Sequence, residues 1–376
     1  MTTADTAVGG TVAPGYEPLR DAFAEVLAEQ SGETGAAFAA VVDTRIVADL
    51  WGGAVNGAGA PWQPDTVCVI FSGTKGIVAT ALLMLVDQGR LRLSDLVCDH
   101  WPDFAAGGKA DITVAQMCAH AAGLPYVTEA LSEPEEIDAV TVAAALARQG
   151  PVLPVGVPSY HAITWGWLCD GLIAHVTGHG AAAFVHGQLA EGHGLDMRIG
   201  LDTDPAAAGR VARLHTAPGY QVSALADPDH DPRLDLVYGT RYGVDSDTWL
   251  GPPVPAANGI VTAPAMAEMY GGLVCGTIVG LDTLERGITT AAEGDDPLTG
   301  RPLRFGATGY ELWGTPSRLG PSPDAFGHTG SGGSSHGAWP RHRAGFSFVT
   351  SELRAEAGDG RAERLLATLH DILARA

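Results

Sequence analysis

The run Val69-Ile70-Phe71-Ser72-Gly73-Thr74-Lys75-Gly76-Ile77-Val78 carries the reading of this chain. Apolar residues continue from it with no polar face: Ile77, Val78, Ala79, Ala81, Leu82, Leu83, Met84, Leu85 and Val86, until Gly89. A helix that is apolar on every side belongs inside a core. A glycine just past the last apolar residue is a helix stop. Positions i and i+3 share a helix face, so a helix that begins near Ser72 brings the Ser72 hydroxyl and the Lys75 amine together. A serine hydroxyl attacks only when a neighbour takes its proton. A lysine in apolar surroundings loses some of its preference for charge and can be that neighbour. The N–H groups of the first turn and the helix dipole favour negative charge at the same place.

Ser-x-x-Lys is a short pattern, and the composition adds to it. Of 22 basic residues only Lys75 and Lys109 are lysines. Two readings fit: lysine is kept where an amine must deprotonate, or the genome prefers arginine codons and Lys75 is an ordinary surface residue. The rest of the chain decides between them.

At 376 residues the chain is one large domain or two ordinary ones. A net charge of −21 argues against nucleic acid and anionic membrane surfaces, which select basic patches. The five cysteines, Cys68, Cys98, Cys118, Cys169 and Cys275, form no Cys-x-x-Cys pair, and most sit among apolar residues. That pattern predicts free thiols in a reducing compartment. Met1 to Pro18 lacks a basic and an apolar leader segment, and no uncharged apolar run reaches membrane-spanning length. The expectation is a cytoplasmic protein.

Residues 1–15 read as a flexible lead and Pro18 to Gln30 as a helix, with Leu19, Phe23, Val26 and Leu27 at helical spacing. Gly35 to Val42 reads as a buried strand and Arg45 to Trp51 as its hairpin partner, closed by Gly52-Gly53. Two antiparallel strands behind a helix predict an α+β sandwich with an antiparallel sheet. Thr113 to Ala119, Ala139 to Arg148 and Trp165 to Val176 read as helices. The stretch from about 96 to 255 therefore reads as a mostly helical insertion. The α/β body is then about 16–95 plus 256–376, all within one catalytic unit spanning 1–376. Asp227-Pro228-Asp229-His230-Asp231-Pro232 reads as a solvated loop, since its order fits no calcium loop. Ala263 to Val274 reads as a helix, 287–324 as glycine-, proline- and charge-rich, Phe326 to Gly330 and Ala344 to Ser351 as strands, and Arg361 to Ala374 as a closing helix.

Two later stretches can complete a nucleophilic site, which needs a proton acceptor, a donor to the leaving group and an oxyanion hole. In Pro158-Ser159-Tyr160-His161-Ala162, a tyrosine beside a lysine can have its pKa lowered enough to exchange protons. In Phe326-Gly327-His328-Thr329-Gly330-Ser331-Gly332-Gly333-Ser334, a strand passes into glycines that let a ligand approach the backbone. Taken alone, the first segment reads better as a half-buried aromatic with a satisfied hydroxyl, and the second reads also as an ordinary glycine turn.

Together, Ser72–Lys75, Tyr160 and His328-Thr329-Gly330 resemble the serine β-lactamase and penicillin-binding-protein superfamily, above all the family VIII carboxylesterases. Met117-Cys118-Ala119-His120-Ala121-Ala122-Gly123-Leu124-Pro125 and Tyr160-His161-Ala162-Ile163-Thr164-Trp165-Gly166-Trp167 are similar to further segments of that group. The resemblance runs from about residue 18 to the C-terminus. It implies a β-lactamase-like fold, an acyl-enzyme on Ser72, and general-base work shared by Lys75 and Tyr160. It also implies an oxyanion hole from the N–H groups of Ser72 and Ser331, with His328, Thr329, Gly330, Ser331 and His161 against the substrate. No cofactor or metal is implied: His175 and His179 lie four apart, but a glycine intervenes and no third ligand is evident. Ser72 is not the centre of a Gly-x-Ser-x-Gly, which sets this site apart from the nucleophile-elbow hydrolases.

Two departures matter. Ala162 stands where the family often has the asparagine of Tyr-x-Asn. His328 stands where many members have the lysine of Lys-Thr-Gly, removing the permanent charge that meets a β-lactam carboxylate. The expectation is a carboxylesterase on small or mid-sized esters. The alternative is an acyltransferase of secondary metabolism that hands the acyl group to an amine or alcohol. A β-lactamase and a catalytically dead binding protein rank below both. Trp165, Trp167, Trp313 and Trp339 are candidates for an apolar pocket wall, although such residues are more often core.

Overall fold

The structure is a computed structural model that describes residues 8–132, 135–238, 243, 245–312 and 317–375. The strands in chain order are β1 (Gly9–Val12), β2 (Gly35–Val42), β3 (Arg45–Gly53), β4 (Cys68–Val69), β5 (Met197–Ile199), β6 (His215–Thr216) and β7 (Gly259–Val261). After them come β8 (Thr290–Asp295), β9 (Pro302–Gly306), β10 (Glu311–Leu312), β11 (Phe326–Thr329), β12 (Ser335–Trp339), β13 (Ala344–Thr350) and β14 (Glu352–Leu353). Nine of them make one antiparallel sheet in the order β1-β3-β2-β13-β12-β11-β10-β9-β8. A small second sheet has the order β4-β7-β5, and β14 pairs with β6 in parallel.

Strand β2 shows why the sheet divides the interior. Side chains alternate across a strand. Ala37, Ala39 and Val41 enter the core that holds the serine helix, whereas Ala36, Phe38 and Ala40 enter the core behind the sheet. That rear core is closed by the terminal helices Glu17–Ala28 and Arg361–Leu373, which contribute Leu19, Phe23 and Val26 on one side and Leu365, Leu366 and Leu369 on the other. Both fronts of β2 are covered, so the strand reads as a continuous apolar run.

On the front face, helix Ala263–Cys275 lies directly on β13 and β2. Gly345 makes this possible. A Cβ there would fall 2.2 Å from the Gly271 amide nitrogen and 2.4 Å from the Ala267 carbonyl oxygen, so only glycine lets the two backbones meet. The serine helix, Thr74–Asp87, fills the middle of the front core, with every residue from Thr74 to Val86 buried. The all-round apolar pattern found in sequence is the consequence of that position. The helix starts two residues later than its serine. Ser72 sits in the tight turn that precedes it, where the Lys75 N–H reaches the Ser72 carbonyl at 2.9 Å.

Four expectations need correction. Residues 9–12 are not part of a loose lead but an edge strand on β3, and the Arg20 guanidinium donates to the carbonyls of Val8 and Gly10. The stretch 287–324 contains three strands, β8 to β10, at the far edge of the sheet. Strands β8 and β9 expose most of their side chains, with Ala292, Phe305 and Gly306 buried, and β10 is only two residues long, so the stretch looks like loop. Strand β12 was also unread, because Ser335-His336-Gly337 lacks strand-forming types although all five residues are buried. Finally, β5 leaves the helical segment to pair with β7. We propose that the segment of about 96–255 is a subdomain on an α/β body of about 16–95 and 256–376, with β5 as the seam. The Asp227–Pro232 loop is largely exposed.

Gly345→Val should destabilise the fold by at least the ~1–3 kcal/mol typical of overpacking. Guanidinium unfolding would read this as a lower midpoint at unchanged slope.

Candidate active site

Strand β4 pairs with β7 and then delivers the chain into the serine turn. Thr74 locks this turn in place: its hydroxyl accepts from the Gly259 N–H at 2.7 Å and donates to the Phe71 carbonyl. Phe71, one residue before the serine, has φ +46°. A bulky residue in the left-handed region is strained, and such strain persists only where the surroundings impose it.

The Lys75 side chain is completely buried. Its Nζ lies 3.2 Å from Ser72 Oγ, 2.7 Å from the Ala162 carbonyl and 3.1 Å from the Ala256 carbonyl. A neutral amine has two N–H bonds and one lone pair. The two carbonyls can only accept, so they take both N–H bonds and turn the lone pair toward the serine hydroxyl. Burial lowers the Lys75 pKa from 10.5 to about 7, against a smaller opposing pull from Glu311. The amine is therefore substantially neutral near physiological pH and can accept the Ser72 proton. The loop that supplies the Ala256 carbonyl is held by Asn258, fully buried, whose amide donates to the carbonyls of Trp249 and Pro252 and accepts from Val254.

Tyr160 is the next neighbour, with Lys75 Nζ 5.0 Å from its ring centroid. Its expected pKa shift has the wrong sign. Burial pushes the phenol well above its ordinary value and Glu311 adds to this, while the Ser72 hydroxyl pulls weakly the other way. With Lys75 itself close to neutral, there is no strong positive charge to stabilise a phenolate. Tyr160 thus stays protonated and can donate. Asp296 positions it: a carboxylate from the 287–324 stretch, almost fully buried, accepts from the Tyr160 N–H at 3.0 Å, the Ser159 hydroxyl at 3.2 Å and the Leu298 N–H at 2.9 Å.

Strand β11 and the following loop form the opposite wall. Thr329, Gly330 and Ser331 line the same 290 Å³ cavity as Ser72 and Tyr160. Gly330 packs so closely that a Cβ there would lie 2.3 Å from the Ile70 carbonyl oxygen, which brings the loop against the serine turn. The Ser331 hydroxyl shares a hydrogen bond with the Tyr220 hydroxyl at 2.8 Å. Arg361, fully buried, donates to the Gly332 carbonyl at 2.9 Å while paired with Asp359, and so pins the loop from behind.

Two residues expected against the substrate are not there. His328 is fully buried, Nδ1 donates to the Thr329 carbonyl at 2.9 Å, and burial lowers its pKa, which leaves it neutral. Its position behind the pocket follows from strand alternation: Thr329 faces the cavity, so its neighbour cannot. His161 is likewise buried. Its Nδ1 donates to the Ser159 carbonyl and its Nε2 accepts from the Leu124 N–H at 2.9 Å, which makes it a brace between two loops. Of the tryptophans, Trp165 is core and donates to the Cys118 carbonyl. Trp339 belongs to the rear core, Trp167 lines a different cavity, and Trp313 lies outside the described residues. His175 and His179 do not share a helix, since Thr177 ends it. Among the described residues no cluster suits a metal ion.

Six contributors went unread in the sequence: Ala256, Asn258, Asp296, Glu311, Tyr220 and Arg361. Glu311 lines the cavity and accepts from the Thr329 N–H at 3.2 Å and hydroxyl at 3.3 Å. A carboxylate inside the 287–324 stretch looks like a solvated loop residue until that stretch is known to be sheet.

The beta-lactamase family profile matches residues 19–370 of this chain. The chain belongs to the beta-lactamase family. Its members are serine hydrolases, and the protein is an enzyme of that kind. Among curated proteins it is similar to "Esterase/beta-lactamase LipL" of Mycobacterium tuberculosis, at 33% identity over 338 residues, covering 85% of this chain and 77% of that one. Among solved structures it is similar to a family VIII carboxylesterase, with TM-score 0.88 and 30% identity over 97% of this chain and all of the other. A penicillin-binding-protein homolog from Caulobacter crescentus gives TM-score 0.88 and 28% identity over 98% of this chain and all of that one. The resemblance read from Ser72–Lys75, Tyr160 and His328-Thr329-Gly330 is thereby borne out, as is the fold class.

Because the amine must be neutral to accept a proton, activity should rise with pH through about 7 and then level. A plot of log kcat/KM against pH should have unit slope below that value. A lysine at its ordinary value would place the break some three pH units higher.

Proposed function

We propose that the protein is a carboxylesterase acting through an acyl-enzyme on Ser72. The observation that carries this reading is the buried Lys75 amine, aimed at Ser72 Oγ by two carbonyls, with burial lowering its pKa to about 7. Ser72 attacks the ester carbonyl as its proton passes to Lys75. The oxyanion accepts from the backbone N–H groups of Ser72 and Ser331, neither of which has an acceptor among the described residues. Breakdown breaks the C–O bond, and Tyr160, held protonated by burial, gives a proton to the leaving oxygen and regains one from Lys75. Water then repeats the sequence on the acyl-enzyme. This divides the work that the sequence left shared: Lys75 is the base and Tyr160 the acid.

An uncharged ester suits the cavity better than a β-lactam. Its wall carries Arg301, Arg304 and Arg318 against Asp296, Glu311 and Glu356, a balanced set. The neutral His328 offers no fixed positive charge to a carboxylate, and Ala162 lends only its carbonyl, already used by Lys75. The relatives described as esterase/beta-lactamase and carboxylesterase support the same substrate class. A cytoplasmic setting belongs to this reading, supported by five free cysteines. Among the described residues no helix is long and apolar enough to cross a membrane.

Intact-mass measurement after mixing with activated esters tests this reading. The expected result is one acyl adduct on Ser72 that clears in water, absent in Ser72→Ala. Tyr160→Phe should lower kcat by about 10²- to 10⁴-fold while the fold persists. An adduct that persists in water and clears only with an amine or alcohol would make the protein an acyltransferase. Turnover in Ser72→Ala would overturn the mechanism.

A further inference from the structure

A second cavity adjoins the one that contains Ser72. It is the larger of the two, about 700 Å³ against 290 Å³. Val127, Leu131, Val142, Trp167, Val237 and Val254 make most of its wall apolar. Ile163 and Trp249 belong to both cavities, and the sequence neighbours Val237 and Tyr238 face one each. The two spaces therefore share a partition one side chain thick. The Ser72 cavity alone is at the small end of the ~300–1,000 Å³ typical of ligand sites, enough for an ester group and little more.

Trp249 carries the second observation. It is only 3% exposed, and its indole N–H is buried with no hydrogen-bond acceptor among the described residues. Buried donors in native proteins almost always have a partner, because leaving one unmade costs its full desolvation. The donor has no exposed surface, so a ligand acceptor meets it only when the Trp249 ring turns to let the arm through the partition. The apolar annex supplies the other half of that ligand.

We propose that the substrate is an ester with an extended apolar arm that passes Ile163 and Trp249 into the larger cavity, and that an oxygen on this arm accepts the Trp249 N–H. The proposal rests on the acyl-enzyme reading and names the substrate class for the same site. The arm belongs to either the acyl or the alcohol side of the ester, and the chemistry that recognises it is the same.

The test uses two ester series on the full chain. In p-nitrophenyl alkanoates from acetate to dodecanoate the acyl arm lengthens. In acetates of lengthening alcohols the other arm does. The expected result is a kcat/KM that climbs in one series by about three- to fourfold per methylene until the annex is full. Val127→Trp and, independently, Leu131→Trp narrow the annex and should cut the ratio of long-arm to short-arm turnover by roughly tenfold or more. Thermal unfolding shows that each variant folds. Trp249→Phe keeps the ring and loses the donor, so it should erase the preference for arms bearing an ether oxygen over all-carbon arms. Flat or falling profiles in both series would overturn the proposal, as would annex variants that keep the wild-type ratio. Acylation of Ser72 by acetate esters alongside a flat profile would sink the annex but leave the esterase standing. No acylation by any ester would sink both.

Discussion

A buried amine with two of its three directions already taken is the constraint on which the site depends. The carbonyls of Ala162 and Ala256 come from segments far apart in the chain, and both must reach Lys75 for its lone pair to face Ser72. Everything nearby supports that meeting. Asn258 shapes the loop that carries Ala256, Thr74 clamps the serine turn to β7, and Asp296 holds Ser159 and Tyr160 just ahead of Ala162. In the proposed mechanism, the same burial that suits Lys75 to act as base keeps Tyr160 protonated to act as acid. Low dielectric penalises the charged form of each group, the ammonium in one case and the phenolate in the other. One environment thus pushes two pKa values apart, as the two proposed roles require.

The other lysine makes a useful contrast. Lys109 is as buried as Lys75, yet its amine is surrounded by the carbonyls of Ala106, Ala147 and Gln149. Three acceptors leave no direction for a substrate. A buried lysine becomes a base or a cross-link according to whether its last direction meets a hydroxyl or another carbonyl.

Much of the fold was legible because the signals were dense. Strand β2, buried on both faces, leaves a glycine-bounded apolar run, while the hairpin strand β3 and the helices at 139–148 and 361–373 each bury one face and leave a period on the sequence. The strands β8 to β10 and β12 were not legible. They lie at an edge or carry small and polar residues, and their strand state follows from the neighbours they pair with. Missing them also hid Asp296 and Glu311, which reach the site only once that end of the sheet is in place beside it.

By itself the sequence determined that a serine and a lysine three apart would sit at the mouth of a buried helix, and that Tyr160 and the glycine-rich end of β11 would complete a family pattern. Those facts are local spacing and residue type, and both are written in the chain. Tertiary structure decided the electrostatics: which way the Lys75 lone pair points, that Tyr160 keeps its proton, and that His328 and His161 turn away from the cavity. Burial, the alternation of a paired strand and the carbonyls of distant loops set these outcomes, and none of the three exists until the chain has folded.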